Sequence, residues 1–500
     1  KDIWSQDKCH CINGDPPTYF DYVPQYLRWF EEWAEDFCRK RKHKLENAKN
    51  ECREGEDQSG GERYCDFNGY DCKGTASGKH KYLWDYKCAG CFFWCSDFRK
   101  WIAKQKDEFE KQKNKYTDEI NGTSRSNGGG RQKRKARSIS NDDNGYEKKF
   151  YEELKNNSEY GKVDKFLDLL SKETTCKGHP EVEVKGKKAN SVDFTKDDGE
   201  IFSHTEICEP CPWCGVNGTK GNWERIDDHS ACKEEELYTP KENAKYTKIN
   251  VLTSGEGHED IAKRLKEFCT KTQNGTGSGS SDGVANGSAS NSDSQKLYEE
   301  WKCYQPEELT KDGRDVVEGD ELNGAGGLCI LQKTNGKENG KKQKTFNNFF
   351  NFWVVHMLKD SIDWRNKLNS CINNGKTIRC KNGCKTPCKC YESWIQQKED
   401  EWKLIEQHYE KQNFGPGFSP YMTLEWNLQY DYFPSIQQAY PGVEFVEEIK
   451  KIIDENIKDL SSVTKENNSI NDLLKKEEGI ATECKKCQET QKPSAGGGGG

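Results

Sequence analysis

The side chains best suited to chemistry in this chain are its cysteines. Cys208-x2-Cys211-x2-Cys214 and Cys380-x3-Cys384-x3-Cys388-x-Cys390 place thiols at spacings that could ligate zinc. A structural zinc site needs two separated ligand pairs, commonly with histidine support. His204, His229 and His408 have no matching spacing. Cys91-x3-Cys95 carries Phe-Phe-Trp in its spacer without a βαβ pattern around it, so a redox dithiol is not indicated. There are 24 cysteines in 500 residues. A reducing compartment would leave them free and reactive, whereas an oxidising one would pair them. The pattern therefore points to disulfides in a secreted or cell-surface protein. Cys208, Cys211, Cys214, Cys371, Cys380, Cys384, Cys388 and Cys390 are the candidate structural disulfide cysteines; no metal and no cofactor is expected.

Other catalytic signatures are missing. There is no Gly-rich phosphate loop, no Gly-x-Ser-x-Gly elbow and no His-Glu-x-x-His, and context marks no carboxylates as a pair. His356 sits in an apolar helical stretch and reads as structural. No catalytic residue is assigned and the chain is not expected to be an enzyme. Asn121, Asn156, Asn217, Asn274 and Asn286 head glycosylation-type tripeptides, which imply exposed loops.

Composition asks for staples. Only 32% of residues are hydrophobic while 33% are charged, so the core per residue is thin. Each disulfide supplies roughly 2–4 kcal/mol. The net charge of -7 is spread over interleaved acids and bases, without a nucleic-acid footprint. The basic run Arg131–Arg137 lies within Gly-, Ser-, Asn- and Asp-rich sequence and reads as a solvated linker; its sharper reading is a patch for sulfated glycans. There is no signal peptide and no membrane-length apolar run. The chain reads as an internal piece of a larger protein, with membrane attachment elsewhere.

The elements that must position these cysteines are helical. Tyr26, Trp29, Phe30, Trp33 and Phe37 recur along one helix face, and a second helix is expected over about 92–120 with Phe98, Trp101, Ile102 and Phe109 inward. Residues 1–120 contain nine cysteines, an odd number that calls for an upstream partner. Short helices follow around Phe166–Leu170 and Ile261–Phe268, then strong ones over 345–370 and 392–410, expected to be antiparallel, and a last over 443–457. The tail beyond Ser461 reads as polar linker.

The sharpest local anomaly is Phe346-Asn347-Asn348-Phe349-Phe350-Asn351-Phe352-Trp353. Its helix is apolar on both sides, so it is either buried all round or exposes part of that surface to a partner. The first turn is the part expected to protrude.

At this point the residues resemble a family. Thr18–Cys38, Tyr64–Cys72 and Cys88–Cys95 are similar to the end of a Duffy-binding-like alpha domain. His204–Cys214, Trp301–Tyr304, Met357–Arg365 and Cys388–Trp394 look like an alpha-type cysteine-rich interdomain region. Together they resemble the head structure of the variant erythrocyte membrane protein family of the malaria parasite. The resemblance implies display on infected erythrocytes, antibody-driven variation and adhesion to host endothelium without catalysis. One subclass of the family binds endothelial protein C receptor, in competition with protein C; others bind platelet glycoprotein IV through a pocket. Gly326–Leu331 and the Phe349–Phe350 pair look like the first subclass, in which a phenylalanine from a kinked helix enters the receptor groove. That role falls to Phe350, with Phe349, Phe346, Asn347 and Asn348 as the surrounding receptor-binding residues. Phe350 shares the core stripe of its helix, so a kink near Asn347–Asn351 is required.

The expected fold is mainly α: two disulfide-stapled helical-bundle modules in series, with long irregular loops and a variable insert. The expected limits are 1–120 for the Duffy-binding-like part, 121–147 for the linker, 148–460 for the interdomain region and 461–500 for the tail.

Overall fold

A computed structural model describes residues 23–489, apart from 55–61, 122–142, 157–159, 185, 197, 220–221, 233–236, 255–260, 274–297, 317–320, 335–336, 339–340, 373–382, 413–416 and 418. The basic run 131–137, Asn274, Asn286 and Cys380 lie outside these residues. The chain is mainly α and clusters into two compact units, each assembled from two stretches: 1–50 with 97–209, and 51–96 with 210–500.

The first unit contains helices α1 (Gln25–Lys49), α2 (Ala89–Asn121, from residue 97 onward), α3 (Asp143–Asn156) and α4 (Val163–Ser171). Pro24 precedes α1, where a missing N–H costs nothing. Phe30, Phe37, Phe109, Phe166, Phe194 and Phe202 are buried together. Phe30 lies 5.5 Å from Phe166, and Phe37 stacks on Trp101 at 5.3 Å. Trp29, expected on the inner face of α1, is 57% exposed. At about 100° per residue it sits about 120° from the centre of the face that α1 buries with Tyr26, Leu27, Phe30, Ala34, Phe37, Cys38 and Leu45, on the outer side.

In the second unit the central antiparallel sheet has strands β1 (Thr247–Leu252), β2 (Tyr298–Tyr304), β3 (Leu328–Thr334), β4 (Lys337–Glu338) and β5 (Gln343–Thr345). Its order is β4-β3-β2-β1, with β5 also on β3. Around it lie α5 (Ile261–Arg264), α6 (Lys266–Gln273), α7 (Phe346–Ile372), α8 (Lys385–Tyr409), α9 (Pro420–Trp426), α10 (Phe433–Ala439), α11 (Glu444–Lys458) and α12 (Ser469–Glu489). Helices α7 and α8 run antiparallel: Phe350 at the start of α7 meets Tyr409 at the end of α8, and Trp364 late in α7 meets Tyr391 early in α8. The free edge of β1 is closed by side chains of α8. Leu252 N–H donates to Glu401 at 2.7 Å, and Lys398 Nζ donates to Leu252 O at 3.0 Å.

Two expectations are corrected here. Residues beyond 461 are not only polar tail: α12 buries Ile470, Leu473, Leu474 and Ala481, and Cys484 pairs with Cys388. The parity of the nine cysteines in residues 1–120 is no guide to an upstream partner, because pairs cross residue 120: Cys38 bonds to Cys176 and Cys72 to Cys211. Among the described residues, no helix is long and apolar enough to cross a membrane.

Candidate functional site

The candidate disulfide cysteines are placed as staples. Cys211 pairs with Cys72, Cys214 with Cys232, Cys371 with Cys384, Cys388 with Cys484 and Cys390 with Cys269; Cys208 is also disulfide-bonded. The sulfurs of Cys52, Cys91 and Cys95 converge within 4.8 Å. Cys52 is bonded to Cys91 and Cys95 is also disulfide-bonded, so this group offers no free thiolate. Asn121, Asn156 and Asn217 are exposed, as their tripeptides require.

The aromatic turn at the start of α7 is held from outside the helix. Phe346 N–H donates to Gly327 O at 2.9 Å and Asn347 N–H to Ala325 O at 3.1 Å. Thr345 Oγ1 accepts from Asn348 N–H at 3.3 Å. These bonds satisfy amides that a helix start leaves open. Gly327 has φ +90°, and a Cβ there would lie 2.0 Å from Tyr304 O, so only glycine allows this close approach.

The protruding anchor expected at this turn is not what the structure shows. Phe346, Phe349 and Phe350 are all buried, Phe350 to 2% exposure. Phe346 packs on His408 at 4.3 Å, Phe349 on Trp301 at 5.4 Å and Phe350 on Tyr409 at 5.0 Å. Helix α7 is α-helical from Phe346 to Ile372. Without a break at Asn347–Asn351, Phe350 stays in the stripe that its phase assigns to the core. Asn347 and Asn348 are half-buried.

A helical segment interrupted by a π-helical turn, with outward aromatics, does exist at 420–439, where the sequence reading assigned nothing. Ser419 caps α9, its Oγ accepting from Met422 N–H at 3.1 Å, with Pro420 in the first turn. Asn427–Tyr432 then widens to a π-helix before α10. Pro434 supplies the reason: it has no N–H to donate, and its ring crowds the carbonyl of Tyr430. Tyr421, Leu424, Leu428, Tyr432 and Ile436 face inward. Trp426 and Tyr430 face outward, 54% and 57% exposed, with ring centroids 5.2 Å apart. The sequence signal was present: a proline within a helical pattern, and two aromatics opposite the apolar stripe.

This segment is fixed from below by the very turn expected to bind. Tyr432 Oη donates to Asn351 Oδ1. Tyr409, under Phe350, donates from Oη to Pro420 O at 3.1 Å. Tyr421 Oη donates to Glu410 at 2.8 Å, and Glu425 accepts from Ser469 N–H at 2.7 Å. The half-buried Asp431 carboxylate is held above its usual range by burial and by nearby Asp85, and it pairs with no cation among the described residues. A second apolar feature, a depression lined by Met357, Leu428, Ile449, Ile453 and Leu473, holds about 10 Å³, no more than one water.

Comparison with known proteins gives three family matches. Residues 32–206 match the Duffy-binding-like domain, C-terminal subdomain; residues 349–492 match the PFEMP1 DBL domain; residues 247–281 match the PfEMP1 protein, CIDRalpha1 domain. The chain belongs to the PfEMP1 family. The structure of the N-terminal NTS-DBL1-alpha and CIDR-gamma double domain of PfEMP1 from the Plasmodium falciparum varO strain is 24% identical, covering 95% of this chain and 59% of that one, with a TM-score of 0.43. The NTS-DBL1(alpha-1) domain from the same strain is 36% identical, covering 43% of this chain and 42% of that one, with a TM-score of 0.33. The chain thus spans less than two thirds of either PfEMP1 structure. No curated protein matches it significantly.

Proposed function

We propose that this chain is part of a PfEMP1 adhesive head displayed on the infected erythrocyte, and that it binds endothelial protein C receptor through Trp426 and Tyr430. The observation that carries the reading is this exposed aromatic pair at a π-helical interruption. Tryptophan and tyrosine concentrate binding energy, roughly 2–4 kcal/mol at a hot spot. The uncompensated Asp431 carboxylate beside Tyr430 adds a preference for a basic partner surface. Phe350 and Phe349 then act beneath the surface, holding the segment in place. The choice of receptor rests on the CIDRalpha1-type match of residues 247–281 and on Gly326–Leu331, which resembles the subclass that binds this receptor. Occupation of the receptor would exclude protein C by overlap alone, with no catalytic step.

Binding to platelet glycoprotein IV is the alternative within the same adhesin class, and it would need a pocket for a phenyl ring. Sulfated-glycan binding would use Arg131–Arg137, outside the described residues. The discriminating experiment is parallel binding of the whole chain to both immobilised receptors at low and high salt. Salt-tolerant binding to endothelial protein C receptor alone supports the proposal. Binding to platelet glycoprotein IV alone, or to neither, overturns it.

A further inference from the structure

The interior of the second unit contains two titratable groups in one aromatic column that the adhesive reading does not use. His356, on α7, lies between Phe352 at 4.0 Å and Phe92 at 4.6 Å. Its Nε2 is buried without a hydrogen-bond partner. The buried Lys344 Nζ sits 3.6 Å from the centroid of the same Phe352 ring and donates to Tyr70 Oη. Tyr70 in turn stacks on Phe352 at 5.9 Å, nearly parallel. Thus the stretch carrying Tyr70 and Phe92 is pinned to α7 through Phe352 and His356.

The surroundings favour a neutral imidazole. The basic groups acting on it are Lys344 from β5, itself pushed well below the usual lysine value by burial, Lys359 from α7, Lys398 from α8 and Arg264 from α5. Lys359 and Arg264 are paired with Asp363, and Lys398 with Glu401. Asp66, Glu299 and Lys342 act on Lys344. Burial and these basic groups hold the imidazole well below its ordinary value, so it remains neutral in the closed column.

We infer that the Lys344–Phe352–His356–Phe92 column is an acid-sensitive latch, in which a proton taken from solvent by His356 Nε2 releases the 64–95 stretch from α7. A buried imidazolium whose Nε2 has no acceptor, beside the cations of Lys359, Lys398 and Arg264, is too costly to form in the closed column, so protonation requires the column to open. Opening does not unravel the stretch, because Cys72–Cys211 still tethers it. The inference is independent of which receptor is bound.

Hydrogen exchange of the whole chain, corrected for intrinsic rates and compared at pH 7 and pH 5, tests it. With one histidine of ordinary pKa freed on opening, the opening constant of residues 64–95 and 349–358 should rise about 25-fold over this range. In His356→Leu the rise should vanish; His356→Gln, also non-titrating, serves if the leucine variant does not fold. An equal rise in the non-titrating variant, or none in the wild type, overturns the inference.

Discussion

The ring of Phe350 stacks on that of Tyr409, 5.0 Å away and inclined by 27°, inside the second unit. A side chain so placed contributes to binding only by supporting what lies above it. Phe350→Ala is therefore expected to destabilise the unit by about 3–5 kcal/mol. Its unfolding midpoint in urea should drop well before any surface effect on receptor binding can be measured.

Glu401 is a second keystone. Its carboxylate accepts from Leu252 N–H at 2.7 Å, Trp353 Nε1 at 2.7 Å and Lys398 Nζ at 2.8 Å, all buried. Glu401→Ala would leave Leu252 N–H and Trp353 Nε1 without this acceptor and the buried Lys398 without its counter-charge, at a cost of about 3–5 kcal/mol. Glu401→Gln keeps one acceptor oxygen and should cost less. Denaturant titration followed by tryptophan fluorescence checks the order.

Helices α1, α2, α7 and α8 were legible because their aromatics recur at helical spacing, and the sheet was not. Strands β1 and β2 are separated by the long polar excursion around 274–297, and their pairing is invisible to local periodicity. Helix α12 was missed because Ile470, Leu473 and Ala481 are diluted by Lys and Glu. Phe350 was correctly phased into the core by its stripe; the error lay in supposing a kink there, whereas the helical irregularity comes eighty-odd residues later, ahead of Pro434. Cysteine pairing followed the fold and had no local signature.

In the first unit, His179 Nε2–H donates to Thr175 O at 3.1 Å, and Nδ1 accepts from the buried Arg41 at 3.3 Å. Burial, and then Arg41, push this histidine down to about 4. A depressed histidine contributes its stability in full above the unfolded value near 6.5 and loses it as pH falls toward 4. The first unit should lose on the order of 1–3 kcal/mol across that window. His179→Gln should flatten the pH dependence of its thermal midpoint.

Cys388–Cys484 closes a loop of 96 residues and ties α12 to α8. Replacing both cysteines with alanine should cost about 2–5 kcal/mol and expose α12 to limited proteolysis near Ser469. Non-reducing peptide mapping of the intact chain should recover this pair and Cys38–Cys176.

The central claim is that Trp426 and Tyr430, not Phe350, contact the receptor. The direct measurement is the dissociation constant for immobilised endothelial protein C receptor of the whole chain, Trp426→Ala and Tyr430→Ala, each first shown by circular dichroism and urea titration to be as stable as the parent. The account predicts a loss of at least roughly thirtyfold in each variant, a hot-spot cost of about 2 kcal/mol or more, with unchanged stability. Undiminished affinity in both variants would contradict it.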